Sequence, residues 1–225
     1  LEVSATMKQS EKRHLESLIA ATEAARELFS NRNKTTREKM VARAFLRCLG
    51  VKFSEDEIVV GPEEPVDISL REARFQIREM LGDRKRGQAL REQLKRYQKA
   101  KSINDVTDPW RDSIPLSFTD VSRGIAESLS SKASKYGVEA CAKLDALVYV
   151  NIPGRHLYPL IPRLDPTAAE ELDRQGWRSV LMVFIPFSCV LVAKADCPAF
   201  LRNKSGRVRM KWPHPGGWFD PSLGE

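Results

Sequence analysis

The run Ala146–Ile152, ALVYVNI, constrains the fold more than any other stretch of this chain. An unbroken apolar run of this kind reads as a strand buried on both faces, and such a strand needs cover above and below the sheet. Val180–Ile185 and Cys189–Ala193 are the most apolar tracts. With Pro186-Phe187-Ser188 between them they make a bent strand or a hairpin, its first arm central to the sheet. Helical patterns alternate with these strands. Met7–Phe29 repeats Leu15, Leu18, Ile19, Thr22, Ala25 and Phe29 at helical spacing. A second helix opens at Thr35, with Glu38 completing a capping box, and it buries Met40, Val41, Ala44, Phe45, Cys48 and Leu49 before Gly50. Further helices are expected over Gly82–Lys101, from Ser117 to Tyr136, and over Thr167–Gln175, the last capped by Asp165 or Thr167. The fold class is α/β with a mixed sheet.

Between the second and third helices lie a short strand over Val51–Val60 ending in Ile58-Val59-Val60, the turn signal Gly61-Pro62, and two runs of alternating polarity, Val66–Leu70 and Ala73–Glu79. If Arg71-Glu72 is a two-residue turn, Leu70 faces Ala73, Ile68 faces Phe75 and Asp67 faces Gln76. One face then carries Val66, Ile68, Leu70, Phe75 and Ile77. The other carries Asp67, Ser69, Arg74, Gln76 and Arg78, so an acid, an amide and two guanidinium groups converge. The turn is the weak point, because Arg-Glu lacks the positive-φ preference of tight hairpins, and a one-residue slip would separate Asp67 from Gln76.

Charge bears on partners. The 225 residues carry a formal +7, and Asp83–Lys101 alone holds eight Lys or Arg against two acids. Arg84, Lys85, Arg86, Arg91, Lys95 and Arg96 make that helix a candidate contact for nucleic acid, with a solvated face as the alternative. Arg202–Lys211 has five basic residues and no acid, so Arg207, Arg209 and Lys211 form a second candidate contact. Cys48, Cys141, Cys189 and Cys197 are scattered, and His14, His156 and His214 lie far apart, so no zinc site is expected. His156, at the exit of the buried strand, reads as an ordinary residue more readily than as a ligand. The expected location is cytoplasmic, with buried reduced thiols and no membrane span. The chain reads as one domain: an N-terminal helix over 1–34, a core over 35–152, and C-terminal strands with an irregular, Trp-bearing tail over 153–225. A homodimer is among the oligomeric states this allows.

Pro65-Val66-Asp67, the triplet Gln76-Ile77-Arg78 and the element order from about Thr35 to Ile152 resemble the PD-(D/E)XK nuclease superfamily. More narrowly, they resemble a bacterial family labelled putative endonucleases within it. The resemblance implies a restriction-endonuclease-like α-β-β-β-α-β core and a Mg²⁺-dependent endonuclease acting on nucleic acid. It makes Asp67 the principal metal ligand, the Gln76 side-chain oxygen the second and the Ile77 backbone carbonyl the third, with Glu38 an auxiliary acid. Arg78 stands at the catalytic lysine's position. Mg²⁺ is a hard cation held by a few carboxylates, water and phosphate oxygens, which suits such a set. Two substitutions depart from the pattern. Gln76 is neutral, and a guanidinium at Arg78 cannot serve as a base, although it can bind phosphate bidentately. The alternatives are a surface ion pair between Asp67 and Arg78, or a non-catalytic nucleic-acid- or protein-binding module on the same fold.

Overall fold

A computed structural model describes residues 9–81, 86–106, 113–152, 154–158, 161 and 163–211. Among these, the first helix α1 (Gln9–Leu28) and a short 3-10 turn lead into α2 (Lys34–Leu49). Strands β1 (Val59–Val60), β2 (Ile68–Leu70) and β3 (Ala73–Leu81) follow, then α3 (Arg86–Lys99), β4 (Ile114–Leu116), α4 (Phe118–Tyr136) and α5 (Val138–Cys141). The chain continues through β5 (Asp145–Asn151), β6 (Arg155–Leu157), α6 (Pro166–Arg174), β7 (Ser179–Phe184), β8 (Phe187–Ala193), α7 (Ala199–Arg202) and β9 (Val208–Met210). The expected tail containing Trp212 and Trp218 lies outside the described residues, as do Arg84, Lys85 and His214.

Seven strands form one sheet in the order β1-β2-β3-β5-β7-β8-β9, and β4 pairs with β6 in a separate two-stranded ladder. The three inner strands β3, β5 and β7 run parallel, and an antiparallel pair extends the sheet on each side. The fold is therefore a mixed α/β sheet. Strand β5, the expected doubly buried run, is its middle member, with Ala146, Leu147 and Val148 fully buried. Even and odd positions of β5 feed two different cores. Leu147 and Tyr149 pack with Ile68, Leu70, Phe75, Leu181 and the α2 stripe of Val41, Phe45 and Leu49. Ala146, Val148 and Val150 pack on the other side with Val180 and Met182, under Val121, Ile125 and Leu129 of α4 and Leu172 of α6. The alternation of side chains across a strand makes this two-sided burial possible.

Helix ends follow local chemistry. Ser117 caps α4 by accepting from the Asp120 N–H at 3.1 Å, and Asp165 caps α6 by accepting from Ala168, which decides between the two candidate caps. Gly50 ends α2 in the left-handed region at φ 70°, where a side chain would be strained. The expected capping box at Thr35 is not formed. Thr35 already lies inside α2, whose cap position is Asn33, and Glu38 turns inward. The expected strand over 51–60 is also shorter, because a 3-10 turn at Glu55–Glu57 takes up the middle of the segment.

All four cysteines are buried and unpaired, and burial pushes the Cys48 and Cys189 thiols up to about 12. Helix α3 does not touch the sheet as a core helix would. Its thin apolar stripe, Leu94 and Tyr97, is buried where α3 packs against α1. No helix among the described residues is long and apolar enough to cross a membrane.

Candidate functional site

The β2–β3 hairpin sets the site. Its register is Leu70 to Ala73 and Ile68 to Phe75, as the alternation requires. The ladder continues one step further, since the Asp67 N–H donates to the Phe75 carbonyl at 2.9 Å. The turn succeeds despite its residues. Arg71 takes φ 52°, a conformation that costs a non-glycine residue about 1–2 kcal/mol. Its side chain offsets part of that cost by donating to Glu57 Oε1 at 2.8 Å and to the Lys52 carbonyl at 2.9 Å. On the far side of the turn, Arg178 donates to the Glu72 carbonyl and to the fully buried Asp145 carboxylate, which also accepts from the Arg74 N–H at 2.9 Å. A slip of register would break this clamp.

Ahead of β2 the chain turns tightly. The Gly61 N–H donates to the Asp67 carbonyl, and a Cβ at Gly61 would lie 1.9 Å from the Val66 carbonyl oxygen, so only glycine fits. Because β2 begins only at Ile68, the alternation does not reach Val66. That residue packs with the α4-side core rather than with Ile68, contrary to the face expected for it. Glu64 anchors the turn to α4 through Lys132, Lys135 and the Tyr136 hydroxyl, and these bonds hold its carboxyl down at about 2.

Asp67 is 8% exposed and Gln76 2%, so neither sits on a solvated hairpin face. Asp67 Oδ2 accepts from the Ile77 N–H at 2.8 Å and from Gln76 Nε2 at 2.9 Å. Asp67 Oδ1 faces Lys34 Nζ at 3.2 Å. The cation paired with Asp67 is therefore Lys34 rather than Arg78, and it comes from the first turn of α2. Lys34 Nζ also lies 3.2 Å from Glu38 Oε1, one helical turn further on. Glu38 is itself buried, at 7% exposure. Burial first, and the neighbouring Asp67 charge second, raise the Glu38 pKa, while Lys34 opposes the shift. For Lys34, burial acts to lower the pKa, but Asp67 and Glu38 together outweigh it and raise it.

These groups floor a cleft of about 310 Å³. Arg78 is exposed along it, and Arg37, Lys132 and Tyr149 contribute to its walls. Arg37 is already engaged with the Leu28 and Ser30 carbonyls and the Phe29 ring. Among the described residues, Gln76 Oε1 is a buried oxygen with no hydrogen-bond partner. Such an orphan is uncommon and calls for a cation or donor to satisfy it. No three His, Cys, Asp or Glu side chains among the described residues gather as a ligand cluster. The set is instead two carboxylates and one amide oxygen, with the Ile77 backbone adjacent. It fits Mg²⁺, which keeps most of its waters, better than a metal that needs a full protein cage.

Asp67, Gln76, Ile77, Arg78 and Glu38 thus come together. The basic residues do not all join them. Arg91, Lys95 and Arg96 are exposed on α3, whose first residue, Arg86, follows β3 closely in sequence. Lys95, Arg96, Lys99 and Lys101 line a second, shallower recess of about 320 Å³ with Asp105. Arg207, Arg209 and Lys211 lie in and beside β9, at the opposite edge of the sheet. Four strand spacings separate β9 from β3, roughly 19 Å. His156 is on β6 with its Nδ1 2.9 Å from Ser113 Oγ, apart from the cleft residues. Lys34 is a cleft residue that the sequence pattern did not bring forward. Its spacing of four from Glu38 was the available signal, hidden by placing the helix start at Thr35.

A solved structure of a protein of unknown function from Pseudomonas aeruginosa strain PAO1, described as Monooxygenase Superfamily, is similar to this chain. The two are 26% identical with a TM-score of 0.63, over 88% of this chain and 94% of that one. No curated protein matches. Residues 10–213 match the family described as "Putative endonuclease, protein of unknown function (DUF1780)", which takes in the hairpin, the Glu38 helix and both basic segments, and the chain belongs to that family.

Proposed function

We propose that this protein is a Mg²⁺-dependent phosphodiester hydrolase of the PD-(D/E)XK type, acting on nucleic acid at the Asp67 cleft. The observation that carries the proposal is that buried Asp67, Glu38 and Gln76, whose Oε1 has no partner, line one cleft together with an exposed arginine. The family's description supports it. The succession α2, β1, β2, β3 and then, after an inserted α3 and β4, α4 and a β5 parallel to β3 supports it too, because it resembles the α-β-β-β-α-β core of that superfamily with extra elements.

Asp67, Gln76, the Ile77 carbonyl and Glu38 would hold the cation. When bound, Mg²⁺ polarises the phosphoryl oxygens and lowers the pKa of an attacking water. The chain's own residues do the rest. The Ile77 N–H and Gln76 Nε2 fix Asp67 Oδ2, so the carboxylate keeps one orientation without reorganising. Arg78, permanently charged, binds the scissile phosphate and stabilises the charge that builds on it as the new bond forms. Lys132 adds positive charge at the rim, and the exposed cations of α3 track the flanking phosphates.

Asp67→Asn is the test. Asparagine keeps an acceptor for the Ile77 N–H, whereas alanine would orphan it at a cost of about 1–3 kcal/mol. Metal-dependent nicking of supercoiled plasmid should fall at least about a hundredfold, the rate equivalent of several kcal/mol of lost metal stabilisation. Duplex binding by fluorescence anisotropy should stay close to wild type. Nicking by the mutant at the wild-type rate would remove Asp67 from the mechanism. The Lys34 pairing and the arginine at position 78 favour one second reading, a nucleic-acid- or protein-binding module without turnover. It predicts no nicking by the wild type under any divalent metal.

A further inference from the structure

We infer that the Lys34 ammonium and a divalent cation compete for one position between the Asp67 and Glu38 carboxylates, so that the site carries its own exchangeable counter-cation. The inference rests on the metal site proposed above and adds a residue to it that the superfamily motif does not contain.

The geometry is that of a cation bridge. Nζ lies 3.2 Å from Asp67 Oδ1 and 3.2 Å from Glu38 Oε1. Two buried carboxylates facing one another are costly unless a positive charge lies between them. The three partners differ in how firmly they are held. Asp67 is fixed through Oδ2 by the hairpin backbone and by Gln76, which leaves Oδ1 turned towards the bridge. Glu38 is buried one turn into α2. Lys34 stands in the first turn of the same helix, with 60% of its side chain exposed. Its four-carbon stem can rotate into water, where an ammonium is strongly hydrated. The acids are therefore a fixed cradle and Lys34 a removable occupant. A divalent ion brings two charges where Lys34 brings one, and Lys34 leaves the buried Gln76 Oε1 without a bond.

Two measurements on the full chain test the exchange without relying on activity. Mn²⁺ affinity is read by electron paramagnetic resonance for wild type, Lys34→Met, Lys34→Arg and Asp67→Asn. Removing the competing charge should tighten Mn²⁺ binding about tenfold in Lys34→Met, a change of about 1.4 kcal/mol, and Lys34→Arg should not show the gain. In parallel, the rate at which an activated acetyl ester modifies Lys34 is followed by peptide mass spectrometry. Saturating Mn²⁺ should accelerate that labelling several-fold in wild type and leave it unchanged in Asp67→Asn. Mn²⁺ binding that is lost in Asp67→Asn but equal or weaker in Lys34→Met would overturn the exchange and leave the metal site standing. Unchanged Lys34 labelling at saturating Mn²⁺ would overturn it as well. If neither wild type nor Lys34→Met binds Mn²⁺, both the exchange and the metal site fall.

Discussion

Glu38 shows what a buried acid at the proposed site costs the fold. Burial and the Asp67 charge raise its pKa, so the folded protein holds this proton more tightly than the unfolded chain does. As pH climbs from the ordinary glutamate value of about 4.3 through the folded one, the unfolded chain binds fewer protons, and stability falls across that window. Above it, Glu38 is a net burden. Glu38→Gln should therefore stabilise the protein at pH 7 by about 0.5–1 kcal/mol, in the range of common stabilising changes, while weakening divalent binding. Urea denaturation at pH 7 and at pH 4 measures this, and the advantage should disappear at the lower pH. A larger gain at pH 4 would contradict the linkage. At this scale the sequence was partly legible. Asp67, Gln76 and Glu38 are visible as residue types at the right places, but the burial that changes their chemistry is a property of the folded layers around them. Lys34 escaped because its role depends on which turn of α2 it occupies.

The hairpin is the element where pattern and structure agree best, since a period of two leaves little freedom once Ile68, Leu70 and Phe75 must all be buried. The turn itself was not legible. Arg71 and Glu72 look unsuited to it because their support comes from elsewhere, from Glu57 and Lys52 before the turn and from Arg178 after it. Two substitutions separate conformation from contacts. Arg71→Ala and Arg71→Gly lose the same hydrogen bonds, but glycine also relieves the positive φ. The glycine variant should be the more stable of the two by about 1 kcal/mol in chemical denaturation, and equal stabilities would show that the turn relaxes. Strand β1 and the segment before β2 were misjudged for a related reason. Short edge segments are shaped by 3-10 turns and by contacts such as Glu64 with α4, which leave no periodic trace.

Among the described residues, net positive charge gathers on α2, on α3 and at the β9 edge, and of these α3 directly follows β3 in the chain. A duplex lying along Arg91, Lys95, Arg96, Lys99 and Lys101 would meet about five phosphates, so the slope of log K against log salt should be roughly −4 to −5. Anisotropy titrations between low and moderate salt measure it. A flat dependence would exclude this interface, and a slope unaffected by Lys95→Glu with Arg96→Glu would move it elsewhere. The layered α/β architecture was legible because ALVYVNI and the two tracts after it leave few other ways to be covered. The distribution of charge over the surface was not, because sequence distance says little about which edge of a sheet a strand joins.

The parallel pairing of β3 with β5 also bears on how the protein is made. The site strand receives one neighbour, β2, from its own hairpin at once, but the other only after the chain has run on to Asp145. A contact between such distant segments is slow to close, because the intervening chain must give up its freedom first. During synthesis the Asp67–Gln76 hairpin therefore emerges well before the strand that completes its sheet. Until β5 arrives, β3 presents a bare hydrogen-bonding edge, and the cleft lacks the Tyr149 side of its lining.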